Sequence, residues 1–217
     1  VQTQPVRARV VVLDGNTGSA KTAILSRLAA RGVQVIDLEA LARHRGSLFG
    51  AVAQGQPSQK WFESRLALAL EGLDPARPVL VEAESSRIGA LNLPKSVWQA
   101  ICAAPRIRLE VPLAARAAYS VHDYADVVAD PDRLAASIEA LSPQHPAGRI
   151  EQWRAQAQSG DWIGLAAGLM RDHYDPRYRK HRDRYALRER AVVALEDLRD
   201  LDAAAAKVEA AMMRLGG

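Results

Sequence analysis

The sequence predicts an α/β fold, a parallel sheet flanked by helices with a helical excursion before the last strand. Three observations carry that prediction. Apolar runs of strand length alternate with segments whose apolar residues recur at helical spacing. The first and third of these runs, Val10 to Leu13 and Val79 to Val81, are apolar, as in strands covered on both faces. The first of them, in "VVVLDGNTGSAKTAIL" from Val10 to Leu25, passes through a glycine-bearing turn straight into a helix start.

The elements follow in order. Arg7 to Leu13 is the first strand, and a helix from about Lys21 to Arg31 closes at Gly32. Val33 to Ile36 forms a second strand with Asp37 at its carboxyl end. "KWFESRLALALEGL" has helical apolar spacing and stops at Gly72. Val79 to Ala83 is a third strand, leading into Glu82 and Glu84. Pro94 begins a helix, and "RIRLEVP" is a fourth strand broken by Pro112. After Tyr119 the pattern turns helical. Ala191 to Leu195 reads as the last strand, followed by a terminal helix capped by Asp202. The expected division is a core over residues 1–120, a helical, basic segment over 121–185, and the core's last strand and helix over 186–217. A single helical lobe from about Val121 onward is the alternative.

Composition narrows the class. The chain has 217 residues, 48% hydrophobic and 25% charged, ordinary for a globular protein. No run approaches the roughly eighteen apolar residues that a membrane helix needs, so no membrane partner is expected. The N-terminal stretch shows no charged-then-apolar leader pattern, which makes the cytoplasm the expected compartment. The single cysteine, Cys102, excludes an internal disulfide and sits among apolar residues, where packing is its expected role. The net charge of +4 is uneven: from Arg171 to Arg190 there are eight Lys/Arg against four Asp/Glu. A basic surface of that kind suits a polyanionic partner.

The turn after the first strand carries the chemistry. The phosphate-loop pattern is Gly, four residues, Gly-Lys, then Ser or Thr. Successive backbone N–H groups face an anion, the helix N-terminus adds partial positive charge, lysine meets the outer phosphates and the hydroxyl ligates Mg²⁺. Gly15, Asn16, Thr17, Gly18, Ser19, Ala20, Lys21 and Thr22 are the expected phosphate-binding set, with Thr22 the Mg²⁺ ligand. The fold expected is therefore P-loop NTPase-like. Ala20 stands where the pattern has its second glycine. If that position needs positive φ, alanine costs about 1–2 kcal/mol; if φ is negative, the methyl fits.

An acid at the end of a neighbouring strand completes such a site. Glu82 is the first choice because it ends the run Val79-Leu80-Val81, with Asp37 second and Glu84 also a candidate. Arg43, His44 and Arg45, followed by Ser47, form a compact cationic stretch suited to a second phosphate or a nucleic-acid backbone. Arg87 and Arg116 follow the third and fourth strands and are expected at the same sheet edge, steadying phosphate charge. Lys21, Glu82, Asp37 and Arg87 thus form the expected catalytic set. Arg177, Arg179, Lys180 and Arg182 interleave with Tyr174, Tyr178 and Tyr185, as in surfaces that bind RNA backbones and stack on bases. The alternative is that these tyrosines dock the segment on the core. The histidines show no ligand spacing with one another, so no metal-binding histidine is expected.

"GNTGSAKT", "VIDLEALARHRGSLFG", "VEAESSRIG", "APRIRLEVPLAARAAY" and "HYDPRY" together resemble the bacterial tRNA 2-selenouridine synthases, in the same order and at similar separations. The similarity spans nearly the whole chain, and the "DLEALARHRGSLFG" block is its most specific piece. That family joins a rhodanese-like domain bearing a reactive cysteine to a P-loop domain, and this chain resembles the latter alone. The resemblance implies replacement of sulfur by selenium in wobble-position 2-thiouridine of tRNA through an S-geranylated intermediate. Geranyl diphosphate is the implied co-substrate, selenophosphate the donor in the full enzyme, and a rhodanese-like domain, in cis or trans, the implied partner. Ala20 departs from the family's usual glycine. Two other readings stand beside this one: a small-molecule kinase using Mg-ATP, and a non-catalytic tRNA-binding module.

Overall fold

The computed structural model of the protein describes residues 6–45, 55–83 and 85–215, apart from the side chain of His181. Strand β1 (Val10–Gly15) is followed by helix α1 (Lys21–Ala30), β2 (Gln34–Ile36), α2 (Leu38–Ala42), α3 (Gln59–Glu71) and β3 (Val79–Glu82). A small antiparallel hairpin, β4 (Arg87–Ile88) and β5 (Leu91–Asn92), precedes α4 (Lys95–Ala103) and β6 (Arg106–Glu110). The helical segment runs through α5 (Leu113–Asp123), α6 (Ala125–Val128), α7 (Pro131–Glu139), α8 (Ala147–Ser159) and α9 (Trp162–Leu169). A π-helical turn, Met170–Tyr174, joins α9 to α10 (Asp175–Asp183), before β7 (Glu189–Ala194) and α11 (Leu201–Arg214).

The main sheet has the order β2-β3-β1-β6-β7 with every pairing parallel, so the parallel α/β expectation holds. Alternate side chains leave a strand on opposite faces. Val10 and Val12 accordingly join a layer with Phe62, Leu66 and Ile101, while Val11 and Leu13 join Ile24, Leu28 and Val208 on the other face. All six residues of β1 are buried, which explains its unbroken apolar run. The helices from α6 to α9 add a separate small core around the fully buried Trp153 and Ile138. That excursion begins inside a helix, because α5 spans the 120/121 point.

Two local expectations are corrected. Asp200, rather than Asp202, caps α11, accepting from the Ala203 N–H at 2.8 Å. Asp202 lies within the first turn of α11 and pairs with Arg27 instead, at 2.7 Å. The last strand begins at Glu189 because Glu189 pairs in register with Arg106 and Arg108 holds its carboxylate at 2.8 Å.

The topology dictates where a ligand would sit. Strand β1 is central, and the chain places β3 on one side of it and β6 on the other. Such a reversal opens a crevice beyond the carboxyl ends of the strands. The register sets Leu13 opposite Glu82, so the turn after β1 and the acid ending β3 meet there.

Candidate functional site

The turn from Gly15 to Thr22 is built by its glycines. A Cβ on Gly15 would meet Ser19 Oγ at 2.5 Å, and one on Gly18 would meet Ser120 Oγ and Met170 Cε at 2.6 Å and the Arg116 carbonyl at 2.8 Å. Gly18 also has φ of +80°. Replacing Gly18 by alanine combines left-handed strain with a backbone clash. It is expected to lower stability by about 2–4 kcal/mol, read from urea denaturation.

Ala20 answers the question its departure raises, because its φ is +58° and ψ +27°. The left-handed conformation is kept at a cost of about 1–2 kcal/mol. Its side chain is buried with Ile24 and Leu25, which offsets part of that cost. Ser19 locks the turn by donating through Oγ to the Asn16 carbonyl at 2.8 Å. Lys21 Nζ donates to the Gly15 carbonyl at 3.0 Å, folding its charge over the turn. The first N–H groups of α1 have no partner within their own helix, and Lys21, Thr22 and Ala23, which carry them, line the cleft.

Acids line the wall opposite. Thr22 Oγ1 lies 3.0 Å from Glu39 Oε2 and 3.3 Å from Glu82 Oε2, and the Glu39 N–H reaches Glu82 Oε1 at 3.4 Å. Glu82 is fully buried. One hydroxyl proton serves one carboxylate at a time. Two carboxylates and a hydroxyl therefore form a set of hard oxygen donors that fits Mg²⁺, which takes one or two carboxylates and completes its shell with phosphate oxygens and water. Among the described residues no three or more His, Cys, Asp or Glu are grouped to hold a metal by themselves. Asp37 lines the cleft, but its Oδ1 caps α2, accepting from the Ala40 N–H at 2.7 Å.

The cleft measures about 410 Å³, and its remaining walls come from the helical segment. The Tyr178 ring on α10 lies 5.5 Å from Lys21 Nζ. Arg182, also on α10, hydrogen-bonds to Asn16 Oδ1 and sits 3.8 Å from Asp14 Oδ1. Arg116 is buried and fully committed: it donates to the Thr17 carbonyl at 3.1 Å and to both oxygens of Asp175 at 2.9 and 2.7 Å. Its position supports the loop rather than presenting a free cation to the cleft. Arg45 lines the cleft, pairs with Asp126 at 2.9 Å and lies 4.9 Å from the Tyr124 ring centre. Tyr119 and Asp123 also line it, and burial raises the pKa of both.

Other expected residues lie elsewhere. Arg87 is on the β4–β5 hairpin, exposed, with its Nε on the Gly89 carbonyl, because the chain after β3 turns into a hairpin rather than along the sheet edge. Arg43 stacks 5.1 Å from the Trp61 ring, and burial lowers the pKa of the half-buried His44 beside it. Arg177 donates to the His173 carbonyl at 2.7 Å, and Arg179 and Lys180 are exposed on α10. Ser47 and Glu84 lie outside the described residues. His145 Nε2 and His173 Nδ1 meet at 2.9 Å, a pairing their spacing did not announce. Burial, then Arg177 and His145, lower the His173 pKa to about 4.

Next to the cleft is a second, apolar cavity of about 80 Å³. Val121, Val127, Leu165, Leu169 and Met170 line it, and it shares Thr17 and Tyr124 with the cleft. Sequence reasoning missed this cavity, and also Glu39, since their residues are brought together only by the fold. The one available signal was Asp37 as a helix cap, which puts Glu39 in the first turn of α2.

Residues 8–142 match the family model described as the tRNA 2-selenouridine synthase AAA domain. The chain belongs to that family. The tRNA 2-selenouridine synthase of Hahella chejuensis is 34% identical, over 79% of this chain and 52% of that protein. That of Alcanivorax borkumensis is 35% identical, over 77% and 53%. The chain thus spans about half the length of the curated relatives it matches, and is homologous to part of the enzyme. Among solved structures, TT1252 from Thermus thermophilus has a TM-score of 0.45 and 17% identity, covering 97% of this chain and 99% of that one, a likeness too loose to inform the site. The helix α10 that roofs the loop lies beyond the matched stretch of the tRNA 2-selenouridine synthase AAA domain.

Proposed function

We propose that this chain is the part of a tRNA-modifying transferase that seats a prenyl diphosphate, geranyl diphosphate in particular, beside 2-thiouridine at the wobble position of tRNA. One observation carries the reading: the cleft at the phosphate loop and the apolar cavity lie side by side, with Thr17 and Tyr124 lining both. A diphosphate with a hydrocarbon chain matches a polar cleft with an apolar cavity beside it. The cavity walls of Val121, Leu165 and Met170 offer a hydrocarbon chain apolar contact and offer a polar ribose or base no partner.

In this reading the loop amides and Lys21 hold the diphosphate. Where Mg²⁺ is bound, Thr22 and Glu82, with Glu39, would hold it, and it would neutralise diphosphate charge. The thiouridine sulfur attacks the first carbon of the chain and an S–C bond forms. The C–O bond breaks with its electron pair left on the diphosphate, and the N3 proton of the base passes to solvent. The exposed cations Arg179 and Lys180 supply attraction for the tRNA backbone.

Exchange of sulfur for selenium from selenophosphate needs an accessible, activated thiolate. Cys102 does not offer one: it is half-buried and 3.3 Å from the Tyr185 hydroxyl. The rhodanese-like partner is assigned that step. Incubating the chain with 2-thiouridine tRNA and geranyl diphosphate, then weighing the nucleosides, tests the reading. Nucleoside heavier by one geranyl group is the expected product. Salt-sensitive tRNA binding without any adduct would leave a binding module, and ATP turnover without an adduct would leave a kinase.

A further inference from the structure

Helix α3 has a solvent-facing side to which the site described above gives no task. Ser58 caps the helix, accepting from the Trp61 N–H at 3.3 Å, which fixes Trp61 in the first turn. Helical spacing puts Trp61, Ser64, Arg65 and Leu68 on one side, and all four are exposed. A tryptophan 39% exposed and a leucine 58% exposed thus flank an arginine, while Phe62 and Leu66 are buried in the core. The guanidinium of Arg65 lies 5.8 Å from the Trp61 ring centre and that of Arg43 lies 5.1 Å from it. Neither arginine has a carboxylate partner among the described residues. Elsewhere Arg27, Arg31, Arg108 and Arg149 each lie within 3.0 Å of a carboxylate oxygen. Glu63 falls on the opposite side of α3 and accepts from Gln59 at 2.7 Å.

An exposed indole beside two unneutralised guanidinium groups suits single-stranded RNA. The ring takes a base by stacking, and the cations take the adjoining phosphates. An apolar protein face would bury both charges unpaired, and a second copy of this chain would set the same cations against each other. Position ties this surface to the cleft. Arg43 ends α2 with a left-handed φ of +48°, where glycine is usual. Helix α2 packs on α3 and carries Glu39, and Arg45, two residues beyond Arg43, lines the cleft. We propose that Trp61 and Arg65 form a stacking site for an unpaired nucleotide of the tRNA anticodon loop, the loop that holds the wobble nucleotide. The base displaces a guanidinium from the indole, and the displaced cation meets the phosphate of that nucleotide. The inference rests on the tRNA reading and adds two residues of α3, a helix to which that reading gave no part.

The test titrates the whole chain with a labelled anticodon stem-loop RNA and with a blunt RNA duplex of equal length, at low and high salt. It uses wild type, Trp61→Ala, Trp61→Phe and Arg65→Gln. Wild type is expected to bind the stem-loop more tightly than the duplex. Trp61→Ala should lose about 5- to 150-fold in affinity for the stem-loop, the range of one stacked base, and little for the duplex. Trp61→Phe should keep most of the affinity, and Arg65→Gln should make binding less steeply dependent on salt. Affinity for inorganic diphosphate should not change in any variant. Trp61→Ala binding the stem-loop as wild type does, or weakening stem-loop and duplex alike, overturns the stacking site. So does loss of self-association in Trp61→Ala with RNA binding intact, which would give this face to a second copy. Wild type binding neither RNA overturns the tRNA reading and this inference with it. Should Trp61→Ala fail to fold, Arg65→Gln decides through its salt dependence.

Discussion

Lys21→Ala is expected to weaken binding of diphosphate ligands by on the order of 10- to 100-fold while leaving the fold intact. Charge-assisted hydrogen bonds contribute roughly 1.5–3 kcal/mol, which sets that range. Without ligand, Lys21 Nζ makes one bond, to the Gly15 carbonyl, and rests 5.5 Å from the Tyr178 ring. Loss of that bond costs about 1 kcal/mol, so denaturation midpoints should move little. Titration at low and high salt checks the electrostatic origin, because a half-exposed lysine is screened. Arginine should not rescue, since a planar fork does not replace a compact ammonium folded over a tight turn. Binding unchanged in Lys21→Ala would remove the loop from the mechanism.

Arg116→Met should produce the largest loss of stability. Arg116 and Asp175 are 6% and 16% exposed at their side chains and joined by two hydrogen bonds, so removing the cation leaves a largely buried carboxylate unpaired. Breaking such a pair costs about 3–5 kcal/mol. Arg116→Met combined with Asp175→Leu removes both charges and should restore most of that stability. Diphosphate affinity should stay low in the double variant, because the bond to the Thr17 carbonyl is still missing. Urea denaturation and titration together separate the two roles. A loss of under about 1 kcal/mol in the single variant would contradict the pairing.

The chain's own order explains what was legible. The strand-turn-helix around Gly15 and the acid at Glu82 are encoded within a few residues, and parallel pairing of β1 with β3 brings them together. Their meeting follows from topology rules that any such sheet obeys. Glu39 was harder, because it reaches Thr22 only through the short helix that Asp37 caps. Arg87 was misplaced because a two-residue antiparallel pair has no sequence signal longer than its own turn.

The cavity was invisible for a different reason. Thr17, Ser120, Leu165 and Met170 come from the loop, α5, α9 and the π-helical turn, and each reads by itself as an ordinary packing position. Arg116 shows the same limit in reverse. Its place after β6 was read correctly, but its use was settled by Asp175, 59 residues away. Basic residues of α10 split likewise: Arg182 turns in to Asn16, while Arg179 and Lys180 stay in solvent.

The main-chain amides opening α1 are expected to capture a diphosphate. Amide chemical shifts of the isotope-labelled chain, followed while inorganic diphosphate is added, test it residue by residue. The amides of Gly18, Ala20, Lys21 and Thr22 are predicted to move most, saturating together. Saturable binding that moves only amides of α10, with those four unmoved, would contradict the account.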